Sequence, residues 1–327
     1  MALRRLSLVF PGQGSQCVGM GKDLLVNWPR LVSNVLEEAS EVTGLHLRRL
    51  ITEGPADELI LTHITQPALL SMSVAVLRVL HNEMELPPVH FALGHSLGEY
   101  SALVAAEAME FADAVRLVHV RGLAMQRAVA PGVGAMAALM TVQPKDAELL
   151  CQEAASSTGS VCQVANYNSS KQTVISGDAR AVNVAISQAI ATKKARRAKL
   201  LNVSAPFHCV LMEPAKRELH EHLQQLLHDN KLHEPKVPVV WNVEAMASTK
   251  TINEIAQVLE EQVVHAVRWS DSIDYCMDKG VDHFLEVGVG GVLSGLIRQQ
   301  IGKSDALCTT CGTTNEIKSL VKKYQHQ

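Results

Sequence analysis

Aromatic residues are scarce, 4% of a 327-residue chain. That scarcity excludes a broad stacking platform for nucleic-acid bases. Excess positive charge is also missing: the formal net charge is −3, so a nucleic-acid backbone is not expected as a partner. No long apolar run is present. The start, Met1 to Phe10, offers only Leu6 to Phe10 before Pro11-Gly12, too short for a signal-peptide core. The stretch around Leu69 to Leu80 is broken by Arg78 and falls short of a membrane span. Paired cysteine motifs are missing as well. Seven cysteines lie at scattered spacing, with Cys308 and Cys311 a lone CxxC. Without a secretory signal they are expected to be mostly free thiols in a reducing compartment, with no metal site. Phosphate-binding loops fail on inspection. Gly12-Gln13-Gly14 continues to Cys17 where a dinucleotide fingerprint needs glycine, and Gly21-Lys22 is followed by Asp23.

What is present is an ordinary globular composition, 47% hydrophobic and 19% charged. Leu6 to Phe10 and Val89 to Leu93 have the look of buried strands, and Leu31–Thr43, Gln66–Glu83, Glu99–Ala108 and Phe111–Ala128 carry helix-spaced apolar residues. Strands alternating with helices predict a parallel sheet covered by helices. After Pro131-Gly132 the pattern changes to strand, helix, strand, strand, helix, strand, ending with Ala198 to Val203. That βαββαβ order is ferredoxin-like. The expected fold is α/β: a parallel-sheet core over 1–129 and 200–327, with an inserted ferredoxin-like subdomain at 130–199. The core resumes with strands at Pro238–Asn242 and His283–Val287.

Gly94-His95-Ser96-Leu97-Gly98 fits G-x-S-x-G. In a nucleophile elbow, small flanking residues let a sharp strand-to-helix turn close, the serine Oγ projects above the sheet, and the next N–H faces a developing oxyanion. A strand before and a helix after supply that context here. The plainer alternative is a tight turn with a helix-capping serine. A serine nucleophile needs a base, and 14 histidines prevent spacing from choosing one. His208 is the candidate because it follows the strand that leaves the insert, where sheet enzymes place functional loops; a polar loop histidine is its alternative. An ordinary histidine base would fall silent as pH drops through its usual range near about 6.5.

The residues resemble the malonyl-CoA:acyl carrier protein transacylase family along nearly the whole chain. The pieces include Phe10-Pro11-Gly12-Gln13-Gly14-Ser15-Gln16, Thr65-Gln66-Pro67, the elbow with Glu99-Tyr100, Arg121 with Met125-Gln126, Asn166-Tyr167-Asn168, Phe207-His208, Val267-Arg268-Trp269 and Glu286-Val287-Gly288. The resemblance implies a hydrolase-like core with a ferredoxin-like insert. It implies Ser96 as nucleophile, His208 as base and then acid, and the backbone N–H groups of Gln13 and Leu97 as oxyanion hole. Arg121 would pair with the malonyl carboxylate, with Gln66, Asn168 and Phe207 also binding substrate. His208 would be oriented by a main-chain carbonyl, placed at Arg268, where many relatives carry glutamine. Leu97 and Phe207 accompany malonyl rather than methylmalonyl use in related acyltransferases. One methyl is worth only about 1–3 kcal/mol, so that discrimination is partial.

These implications describe ping-pong transfer of a malonyl group from malonyl-CoA to the phosphopantetheine thiol of an acyl carrier protein. No cofactor or metal is expected, and a monomer is. The expected setting is the cytoplasm of a bacterium or the mitochondrial matrix of a eukaryote. Two alternatives stand beside this. A thioesterase or serine hydrolase would share the elbow but usually carries Asp or Glu between Ser and His. A non-catalytic carrier-binding module would use Ser96 as a turn residue.

Overall fold

The computed structural model describes residues 5–325. The first four residues of the N-terminal segment weighed above for targeting lie outside that range. The described strands are, in chain order, β1 (Leu6–Phe10), β2 (Val89–Gly94), β3 (Gly134–Met140), β4 (Cys162–Ser169), β5 (Gln172–Asp178), β6 (Arg197–Leu200), β7 (Val239–Val240), β8 (His283–Glu286) and β9 (Leu307–Thr310). They form two sheets. The core sheet has the order β7-β2-β1-β8-β9 and is parallel at every pairing. The second has the order β4-β5-β3-β6 and is antiparallel throughout. With helices Pro144–Thr158 and Ala179–Ala191 on it, this is the ferredoxin-like insert.

β1 is buried at all five residues, as a central strand covered on both faces requires. Helix Thr62–Glu83 packs against helices Phe111–Arg127 and Pro29–Thr43 with most of its length buried. This helix is longer than the apolar run suggested and is long and apolar enough to cross a membrane; 89% of its most apolar window is buried inside the protein. Pro67 sits inside it. Proline cannot donate to the carbonyl four residues back, which is that of His63, and the His119 ring Nδ1 hydrogen-bonds this carbonyl instead at 2.9 Å.

Two expected strands end differently, and one strand was not expected. Pro238–Asn242 shrinks to the two residues of β7 because the chain turns at Trp241, whose carbonyl accepts from Ala245 N. Ala198–Val203 ends as a strand at Leu200, and Leu201 and Val203 leave the sheet to line a cavity. The unexpected strand is β9, which takes in Cys308 of the lone CxxC. All seven cysteines are free thiols.

The elbow sits where β2 meets helix Gly98–Ala105. A Cβ on Gly94 would lie 1.9 Å from Gly98 C, and one on Gly98 would lie 2.0 Å from Phe10 O. The glycines are thus demanded by backbone contact, not by flexibility. Gly94→Ala should destabilise the protein by about 1–3 kcal/mol, the usual scale for overpacking, read as a lower urea unfolding midpoint. An unchanged midpoint would show that the turn has slack.

Candidate active site

Ser96 has φ 53, a left-handed conformation that costs a non-glycine residue roughly 1–2 kcal/mol. Asn242, just past β7, holds it there. Its Oδ1 accepts from Ser96 N at 2.7 Å and its Nδ2 donates to Gly94 O at 2.7 Å. The strained turn lifts the hydroxyl into a cavity of about 100 Å³ lined by Ser96, His208, Arg121, Gln13, Leu97 and Phe207, among others. A second cavity of about 330 Å³ shares Gln13, His95, Asn166, Leu201 and Val203 with it. Site and approach therefore lie between the core and the insert.

His208 also has a left-handed backbone, φ 58, and is 4% exposed. Its Nε2 lies 2.8 Å from Ser96 Oγ. Its Nδ1 lies 2.8 Å from the Gln262 carbonyl. A carbonyl only accepts, so Nδ1 carries the proton and Nε2 presents a lone pair to the serine. Burial, and then the nearby Arg121 charge, pull the His208 pKa down to about 3. The ordinary histidine range near 6.5 expected from the sequence does not apply here.

The orienting carbonyl corrects the placement at Arg268. Gln262 lies in the last turn of helix Ile252–Val264, where carbonyls have lost their helical donors, so its oxygen is free for His208. The Arg268 carbonyl instead starts helix Trp269–Asp278 by accepting from Ser272 N and Oγ at 3.0 and 2.8 Å. Its guanidinium pairs with Asp271 on the surface.

Arg121 is 2% exposed on helix Phe111–Arg127. Nη1 donates to Gln66 Oε1 at 2.8 Å, and Nη2 donates to Gln262 Oε1 at 2.8 Å and to Ser96 Oγ at 3.1 Å. Nε has no partner, and the guanidinium carbon stands 5.4 Å from the Tyr100 ring centre. Burial lowers its pKa, yet a guanidinium stays charged at neutral pH. Gln66 thus serves by holding Arg121. Phe207 lines the Ser96 cavity. Asn168 lines the larger cavity, with Oδ1 2.8 Å from His95 Nε2 and Nδ2 donating to Gln172. Gln13 and Leu97 border the serine, and among the described residues their backbone N–H groups donate to no protein acceptor.

Sequence reasoning missed Gln262 and Asn242 entirely and gave Glu99 no role. Gln262 and Asn242 lie 166 and 146 residues from Ser96, so no local pattern marks them. Glu99 carried a signal: a carboxylate on an apolar helix beside the elbow. It is fully buried, and burial pushes its pKa up to about 7. Its oxygens accept from Asn242 N at 3.0 Å and from Gln262 Nε2.

Neutral His208 makes stability depend on pH. In the unfolded chain its pKa is the ordinary histidine value of 6.5, whereas the folded value is about 3. Between these values the unfolded state binds the extra proton, so stability falls as pH drops, by up to about 1.4 kcal/mol per pH unit. Urea unfolding at pH 4–6.5 should show a shallower loss toward acid for His208→Ala than for the unmodified protein. Parallel slopes would contradict the buried neutral histidine.

Comparison with known proteins places the chain in a family. The acyl transferase domain family matches residues 7–320. The malonyl CoA-acyl carrier protein transacylase of Escherichia coli (strain K12) is 43% identical over 297 residues, covering 91% of this chain and 93% of that protein. The structure of the Coxiella burnetii enzyme of the same name superposes with a TM-score of 0.91 at 39% identity, covering 98% of each chain. A malonyl-transacylase solved in complex with its type II PKS acyl-carrier protein superposes with a TM-score of 0.91 at 37% identity, covering 98% of this chain and 99% of that one. With its Ser96–His208 pair and buried Arg121 set between a parallel-sheet core and a ferredoxin-like insert, the chain belongs to the acyl transferase family, among the malonyl CoA-acyl carrier protein transacylases.

Proposed function

We propose that this protein moves a malonyl group from malonyl-CoA to the phosphopantetheine thiol of an acyl carrier protein, through an ester on Ser96. The observation that carries the proposal is the buried Arg121 guanidinium, 3.1 Å from the serine hydroxyl. A hydrolase with this elbow has no use for a desolvated cation at the nucleophile. An acyl group that ends in a carboxylate does, because charged hydrogen bonds are strongest where water is excluded.

In the acylation half, His208 Nε2 takes the Ser96 proton as Oγ attacks the thioester carbonyl. The oxyanion receives the N–H groups of Gln13 and Leu97. The C–S bond then breaks and the coenzyme A sulfur leaves with the proton from His208. In the second half the carrier thiol gives its proton to His208 and its sulfur attacks the malonyl ester. The C–O bond breaks and Ser96 regains the proton. Arg121 holds the distal carboxylate through both halves and shifts its bond from Ser96 Oγ to the acyl group. Phe207 closes the wall where an α-methyl would lie. Fatty acid or polyketide synthesis consumes the product.

Intact-mass measurement after mixing with malonyl-CoA should show a malonyl adduct on the unmodified protein and none on Ser96→Ala. An adduct on the variant would move the nucleophile elsewhere. Arg121→Ala should lower kcat/KM for malonyl-CoA by about 10–200-fold, from the roughly 1.5–3 kcal/mol of charged hydrogen bonds. Acetyl-CoA, with no carboxylate to hold, should keep its rate or gain. If both substrates lose equally, Arg121 is structural and malonyl selectivity lies elsewhere.

A further inference from the structure

The serine, the histidine and the arginine all meet one residue, Gln262, and its side-chain amide has two unlike faces. The amide oxygen accepts from Arg121 Nη2 at 2.8 Å. The amide nitrogen donates to the Ser96 carbonyl at 2.9 Å and to a Glu99 carboxylate oxygen. Turned over, the amide would set its NH2 against the guanidinium and its oxygen against two acceptors. An amide has no shape preference between the two settings, so its neighbours decide. Both Glu99 oxygens accept from N–H groups, the pattern of an ionised carboxylate, which only accepts and whose hydrogen bonds are roughly twice as strong as neutral ones; with burial pushing its pKa up to about 7, that form prevails above neutral pH. Glu99 is therefore the strongest vote for the observed setting.

The second Glu99 oxygen accepts from the Asn242 backbone N–H at 3.0 Å, and the Asn242 side chain holds the Ser96 turn. Glu99 itself is fully buried and lines neither the Ser96 cavity nor the one beside it. It touches no reacting atom. A buried carboxylate is costly unless its oxygens are bonded, and here those bonds go to the two residues that position Ser96 and Arg121.

We propose that Glu99 is a positioning residue for acyl transfer: it locks the Gln262 amide with its oxygen toward Arg121, and so sets the guanidinium to receive an acyl carboxylate. The inference rests on the malonyl-transfer reading above.

E99Q keeps the shape but supplies one acceptor where the structure uses two. If the new oxygen serves Asn242, the new NH2 faces the Gln262 NH2, and the amide is driven to turn. The malonyl-to-acetyl ratio of kcat/KM should fall about 10–100-fold, the loss expected for a misplaced charged hydrogen bond. Q262A removes the amide and keeps the carbonyl that orients His208. In that background E99Q should change the ratio less than about twofold, because no amide remains to be oriented. A ratio unchanged in E99Q, or an E99Q effect of equal size with and without the Gln262 side chain, would overturn the proposal. Should E99Q fail to fold, E99D retains both acceptor oxygens; it should keep a preference for malonyl-CoA, and a folded E99D without any preference would count against the acceptor role. Calorimetry on S96A separates the two levels of the argument. If S96A binds malonyl-CoA no better than acetyl-CoA, the malonyl reading fails and the Glu99 proposal with it. If S96A prefers malonyl-CoA and S96A with E99Q prefers it equally, only the Glu99 proposal fails.

Discussion

A guanidinium buried in the protein, whose hydrogen-bond partners are two glutamine oxygens and one serine hydroxyl, sets the terms for the rest of the site. Burying a charge without a bonded counter-ion is expensive. The fold tolerates Arg121 because Gln66 and Gln262 each offer an amide oxygen, and because the Tyr100 ring lies against it. None of these partners cancels the charge. The Glu99 carboxylate, on the far side of the Gln262 amide, offsets part of that charge; the cation still faces the nucleophile, where an acyl group bearing its own carboxylate completes the site.

The same cation shapes the base. It stands near the buried His208 and, together with burial, keeps the imidazole neutral well below the usual histidine range. A base that stays unprotonated is ready at any physiological pH. The orienting group is suited to this environment. The Gln262 carbonyl fixes the tautomer as an Asp would, yet it places no second full charge beside Arg121, where a carboxylate could compete with the substrate for the guanidinium.

Much of the fold was legible because its signals are local. The all-buried β1, the elbow glycines and the βαββαβ order are short patterns with one physical meaning each. Strand ends were less legible where function pulls the chain out of the sheet, as at Leu201–Val203 and Trp241–Asn242. Of the site, Ser96 followed from its turn and His208 was singled out by its place after the strand that leaves the insert, while the role of Arg121 needed family resemblance, since a helix arginine carries no local mark. Gln262 stayed hidden. It reaches Ser96 across 166 residues of sequence, and its main duty toward His208 is performed by a backbone carbonyl, which any residue type possesses. Arg268 was chosen in its stead from a motif six residues on, beyond the helix end that frees the carbonyl.

The central claim is that an ester on Ser96 is an intermediate handed to a carrier thiol. Acylated protein can be prepared with malonyl-CoA, freed of coenzyme A, and mixed rapidly with an acyl carrier protein bearing phosphopantetheine. The account predicts that the malonyl mass leaves the protein and appears on the carrier at a rate that rises with carrier concentration and far exceeds loss to water. Release as free malonate, at a rate indifferent to the carrier, would contradict it.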